Sequence, residues 1–133
     1  MTYMLLILEP TGQRQTRTEA EGRAVYDRMV RFGEGLKARG LLKATESLAS
    51  QASAARVSVR GGQAQVVDGP FAEAKEMIGG YFLVTCKTFE EAVAIARECP
   101  AAEWSTVEVR ALAPCYDESQ ADVAARPAAH AGH

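Results

Sequence analysis

Two continuous apolar runs, Tyr3-Met4-Leu5-Leu6-Ile7-Leu8 and Tyr81-Phe82-Leu83-Val84-Thr85-Cys86, constrain this chain more than any other feature. Neither alternates with polar residues as a strand with one solvated face would, so each reads as a central strand covered on both sides. A Thr-x-x-Glu pattern follows each run, at Thr18 to Glu21 and at Thr88 to Glu91. In such a capping box the hydroxyl and the carboxylate satisfy free backbone amides at a helix start. The chain is therefore expected to be built twice over from a buried strand followed by a capped helix.

After Thr18, the residues Val25, Met29, Phe32 and Leu36 recur at helical spacing and form one inward stripe, and Gly40 supplies the stop. The second helix carries Ala92, Ala96 and Cys99 inward, with Val93 and Ile95 flanking, and ends at Pro100. Between the two halves, Leu41 to Leu48 reads as a short extended segment and 49–55 as a flexible surface loop. Arg56 to Arg60 alternates cleanly, Gly61-Gly62 makes a two-residue turn, and Gln63 to Val67 returns as the second arm of a hairpin. Ser105 to Leu112 alternates as a final, half-buried strand. Beyond Pro114 the composition shifts to Ala, Asp, Glu, Ser and Gln, so the expected organisation is one domain over 1–113 and a flexible tail over 114–133.

This order matches an α+β, ferredoxin-like split β-α-β sandwich: an antiparallel sheet with the two main helices on one face. The other face would remain largely apolar and need a cover. A second copy packed sheet to sheet supplies one, so a homodimer with a cavity between the sheets, or between sheet and loop, is expected.

Composition narrows the function. With 15 Lys plus Arg against 17 Asp plus Glu in 133 residues, the formal charge is -2, and no positive field favours nucleic acid. The first apolar run is far shorter than the ~20 residues that span a bilayer, and no basic segment precedes it, so the expectation is a cytoplasmic protein with no membrane partner. Cys86, Cys99 and Cys115 have no Cys-x-x-Cys spacing, which suits two buried thiols and one near the tail rather than disulfides or zinc. No metal site and no cofactor are expected. Gly79-Gly80 lacks the context of a phosphate loop, and Cys86 sits in too buried a strand to serve as a nucleophile.

The most chemical stretch is Asp68-Gly69-Pro70-Phe71-Ala72-Glu73-Ala74-Lys75-Glu76, which the hairpin delivers just ahead of Gly79-Gly80-Tyr81. Asp68 has two readings. As structure, its carboxylate accepts from amides two or three residues ahead, Gly69 takes an unusual dihedral, and Pro70 opens a short helix. As a functional group, it points into a cavity as a general base or acceptor. Lys75 and Glu76 are either a solvated turn or a pair that holds and orients an anionic ligand. Phe71 and Tyr81 are either core or pocket wall.

Asp68-Gly69-Pro70-Phe71 resembles the signature of the YCII-related family, and the surrounding layout is similar to that family from about Met1 to Leu112. The resemblance implies a dimeric α+β barrel. In the broader group it implies a His and Asp pair, with Asp68 at the Asp position. Here the only histidines are His130 and His133, both in the expected tail, so no such pair forms from the body of the chain. Two functions follow as expectations. One is binding of an unknown small molecule near Asp68, Phe71, Lys75, Glu76 and Tyr81, with cofactor-independent proton transfer by Asp68 if the protein is an enzyme. The other is a non-catalytic regulatory or interaction module, since the resemblance suggests a link to sigma factors. A plain scaffold dimer would use the sheet face alone.

Overall fold

The protein is described by a computed structural model covering residues 1–116. The expected tail lies outside the described residues from 117 onward, and both histidines with it. Six strands and two helices follow one another as β1 (Thr2–Pro10), α1 (Glu19–Ala38), β2 (Leu42–Ser47), β3 (Ala55–Arg60), β4 (Gln63–Asp68), β5 (Glu76–Thr85), α2 (Phe89–Glu98) and β6 (Thr106–Ala111). Short 3-10 turns occupy Arg14–Thr16, Gln51–Ser53 and Pro100–Glu103.

Four strands make one antiparallel sheet in the order β2-β5-β1-β6. The two apolar runs are its central strands, as their lack of alternation requires. Each half contributes strand, helix, strand, and this is the ferredoxin-like α+β arrangement. The core lies between the helices and one sheet face. Tyr3, Leu5 and Ile7 of β1 and Phe82 and Val84 of β5 meet Leu36 of α1 and Ala92, Ile95 and Ala96 of α2. Edge-to-face packing of Phe32 on Phe82, with centroids 5.1 Å apart, adds about 1 kcal/mol to the burial.

Both helix starts form where the Thr-x-x-Glu patterns place them. Thr18 accepts from the Glu21 amide while the Glu21 carboxylate accepts from the Thr18 amide. At α2 the Thr88 hydroxyl accepts from the Glu91 amide, but the Glu91 carboxylate takes the amide of Lys87 instead of Thr88. Helix α1 ends in a Schellman turn: the Leu41 amide donates to the Leu36 carbonyl, the Gly40 amide to Lys37, and Gly40 has a φ of +72°.

The region after the hairpin departs from expectation. No helix opens at Pro70. Residues 72 and 73 form a turn closed by the Ala74 amide donating to the Phe71 carbonyl, and β5 begins at Glu76, five residues before the apolar run. Two links to the end of β1 explain this, since Thr11 donates from its amide to the Lys75 carbonyl and from its hydroxyl to the Ala74 carbonyl. Pinned there, the chain continues the ladder opposite Pro10 and Glu9 rather than coiling. Gly69 is required for space, not for an unusual dihedral: its φ is not positive, but a β-carbon would overlap the Gln51 carbonyl oxygen. The Gly69-Pro70 peptide is cis. The same contact corrects the expected loose loop at 49–55. Gln51 is buried in a 3-10 turn capped by Ser50, and the Ala54 carbonyl accepts from the Gly69 amide at 2.8 Å.

The hairpin β3–β4 forms its own two-stranded sheet, with Val57 opposite Val66 and Val59 opposite Ala64. These valines share one face of the ribbon and are exposed, Val57 at 67% and Val66 at 61%.

Candidate functional site

Along β1 the inward positions are Tyr3, Leu5, Ile7 and then Glu9, which is only 7% exposed. A carboxylate on the core face needs a fixed partner. The 3-10 turn after β1 supplies it. Arg14 donates from Nε to Glu9 Oε2 at 2.9 Å and from Nη2 to Glu9 Oε1 at 2.7 Å, the bidentate fork that suits a carboxylate. The same guanidinium holds the Leu48 carbonyl after β2 through Nη1 at 2.9 Å. Register explains how Gly79 approaches: Ile7 pairs with Gly80 and Leu8 with Ile78, leaving Gly79 as the extra residue of a bulge. A side chain there would overlap the Glu9 carboxylate.

This ion pair lies in a cavity of about 550 Å3 between the first turns of α1 and the sheet. Ile7, Val25, Met29, Phe82, Ala101 and Trp104 give it apolar walls. Trp104 is held in place through its carbonyl, which accepts from Gln13 Nε2 at 2.6 Å. The guanidinium carbons of Arg17 and Arg28 lie 5.9 and 5.2 Å from its ring centroid. Arg28 is tied to Glu103 and Arg23 to Glu19. The volume suits a drug-sized or smaller organic molecule, and mostly apolar walls with a few fixed polar groups are the usual make-up of such a site. Both oxygens of Glu9 are occupied by Arg14, so the pair serves as a fixed polar floor.

Of the five residues singled out in the sequence, Tyr81 lines this cavity, Phe71 lines another hollow, and Asp68, Lys75 and Glu76 line neither. Tyr81 lines the α1 cavity, and its carbonyl accepts from the Thr45 hydroxyl at 2.8 Å. Its register partners are Leu6 and Glu46, so strand alternation turns its ring to the face away from the helices. Phe71 is half-buried beneath Arg56, whose guanidinium carbon is 3.8 Å from the ring centroid. Together with Val57, Val67 and Pro70 they line a second hollow under the hairpin. Asp68 ends β4 opposite Ala55, is exposed, and its carboxylate has no hydrogen bond or ion pair among the described residues. Lys75 and Glu76 are exposed at the start of β5. None of Asp68, Lys75 and Glu76 lines either hollow.

Glu9, Arg14, Arg17 and Trp104 were not foreseen. One signal was present, because Glu9 continues the inward parity of Tyr3, Leu5 and Ile7 and so places a charge where alternation demands an apolar residue.

Among the described residues no group of His, Cys, Asp and Glu is arranged to hold a metal ion, and no helix is long and apolar enough to cross a membrane. Cys86 and Cys99 are buried and Cys115 is exposed, and burial pushes the Cys99 thiol up to about 11.

Among curated proteins, an uncharacterized protein (R00369) of Rhizobium meliloti (strain 1021) is 40% identical over 76 residues, which cover 56% of this chain and 61% of that relative. This chain thus matches only about three-fifths of the relative's length. The model of the YCII-related domain matches residues 1–116, which take in both β-α-β halves, the hairpin and the Asp68 turn, and the chain belongs to the YCII-related family.

Proposed function

We propose that this protein binds a small organic molecule in the cavity between α1 and the sheet. The observation that carries this reading is the ion pair of Glu9 and Arg14 on the cavity floor. A glutamate only 7% exposed, a glycine bulge that makes room for it and an arginine that holds both it and the Leu48 carbonyl keep a fixed polar group beside the apolar walls of the hollow. Gly22 lines the same cavity, and a β-carbon there meets nothing within 4 Å. Gly22→Leu therefore adds bulk to the hollow while improving helix propensity. In a screen of apolar compounds read by the emission of Trp104, the protein's one tryptophan, hits should bind the native chain and lose affinity in Gly22→Leu. Hits that bind both forms equally would sink this assignment.

Asp68 supports a second reading. Its carboxylate is exposed and unengaged, and its sequence neighbours Val67 and Pro70 line the hollow under the hairpin. A ligand there would use Phe71 as a wall and Asp68 as acceptor or base, with Lys75 and Glu76 approaching from the adjoining turn. Turnover of any substrate by Asp68→Asn at the native rate would remove that role.

Either site would work within a homodimer. The sheet face away from the helices carries half-buried Met4, Leu6, Leu8 and Leu83 with exposed Ile78, and the hairpin valines Val57, Val59 and Val66 are exposed. Apolar surface of this extent is what a second copy would bury.

A further inference from the structure

Of the six charged residues that line the α1 cavity, four pair off and two, Arg17 and Glu46, do not. Arg14 is held by Glu9 and Arg23 by Glu19. Glu46 reaches the cavity from β2, but it is paired in register with Tyr81 on the opposite sheet face, so alternation directs its carboxylate away from the helices. That leaves Arg17. The residue is half-buried at the cavity wall, its guanidinium carbon lies 5.9 Å from the Trp104 ring centroid, and the guanidinium makes no hydrogen bond or ion pair among the described residues. Glu21 is its nearby opposite charge: hydrogen bonds to Thr18 and, after them, the charge of Arg17 hold the Glu21 carboxyl below its ordinary value, but the carboxylate is bonded to the Thr18 amide of the capping box and not to Arg17. A planar fork with unfilled donors, next to Ile7, Met29, Phe82 and Trp104, is complementary to a molecule with one anionic head and an apolar body.

We infer that the α1 cavity takes an apolar, ring-sized monocarboxylate, with its carboxylate on Arg17 and its body against Ile7, Met29 and Phe82. This rests on the cavity being the ligand site. A single carboxylate fits better than a phosphate ester, because one guanidinium is unmatched and the Glu9 and Glu19 carboxylates are close to the same space. A dianion would meet them with only one positive charge left to offset it.

The test uses 2-naphthoate and its neutral isostere 2-naphthamide as probes, on the full chain, with Trp104 emission and calorimetry as readouts. Naphthoate should bind about tenfold or more tightly than naphthamide. Arg17→Gln should remove that preference, bringing naphthoate binding down to the level of naphthamide in the same variant, with far-UV circular dichroism and the urea midpoint showing that the variant is folded. Gly22→Leu should weaken both. Equal binding of the two probes to the native chain, naphthoate binding indifferent to Arg17→Gln, or no naphthoate binding at millimolar concentration would each overturn the inference. Probe binding that Gly22→Leu leaves intact would overturn the cavity assignment itself, whereas binding lost in Gly22→Leu but insensitive to Arg17 would overturn only the choice of a carboxylate.

Discussion

Gly79 lies directly against the Glu9 carboxylate, so that a β-carbon at position 79 would overlap Oε1 and come within 3.1 Å of Arg14 Nη2. The carboxylate cannot swing aside without leaving its arginine. Gly79→Ala should therefore destabilise the fold by about 2–3 kcal/mol in urea unfolding, through crowding and loss of the pair together. Gly35, on the exposed face of α1 with nothing near its missing β-carbon, provides the contrast. There the same substitution should stabilise by about 1 kcal/mol. Equal effects at the two positions would show that Gly79 is not needed for the close approach.

The ion pair itself can be separated into its partners. Arg14→Met leaves a buried carboxylate unmatched and should lose about 3 kcal/mol. Adding Glu9→Leu removes the orphaned charge and should recover much of that loss, though not all, since the Leu48 carbonyl also depends on Arg14. A double-mutant cycle should give a coupling of about 2 kcal/mol, and strict additivity would mean the pair contributes nothing to stability.

Thiol chemistry should separate the three cysteines. Burial raises the Cys99 pKa to about 11 and also raises that of Cys86, whereas Cys115 is exposed. At pH 8 a thiol reagent should modify Cys115 at least about a hundredfold faster than Cys99, because both thiolate and access are withheld there. The linkage runs in one direction. A folded-state pKa above the unfolded value of about 8.5 leaves stability untouched at lower pH and lowers it as pH rises from there towards 11. Urea midpoints that do not fall between pH 9 and pH 11, or fall equally in Cys99→Ala, would contradict this.

Dimerisation should depend on surface that a single copy leaves uncovered. Ile78 is 48% exposed on the outer sheet face, so Ile78→Lys removes little from the monomer's own core. In sedimentation equilibrium the native chain should run as a dimer, and Ile78→Lys with Val66→Lys should weaken association by about a hundredfold or more. A monomeric native chain, or a dimer indifferent to both substitutions, would refute this use of the face.

Most of the scaffold was legible because it follows from short-range chemistry. Thr18 and Glu21 form their box wherever a helix begins, Gly40 accepts the positive φ that ends α1, and Gly61-Gly62 turns the hairpin with φ values of +55° and +78°. The segment from Asp68 to Glu76 was misread for the opposite reason. Asp68 and Pro70 have the local chemistry of a helix start, but Thr11, more than sixty residues earlier, ties Ala74 and Lys75 to the end of β1 and keeps the chain extended. Gly69 likewise looked like a conformational glycine until Gln51 proved to occupy the space of its side chain.

The sequence alone determined the two central strands, their capped helices, the hairpin and therefore the α+β class, since periodicity and capping act over a few residues. Only the tertiary structure decided where polar groups converge. Glu9, Arg14, Gly79 and Leu48 lie on four separate segments, and their meeting depends on sheet register and a one-residue bulge, which set distances that no local pattern encodes. For the same reason Arg17 and Trp104, 87 positions apart in the chain, become neighbours at one cavity wall.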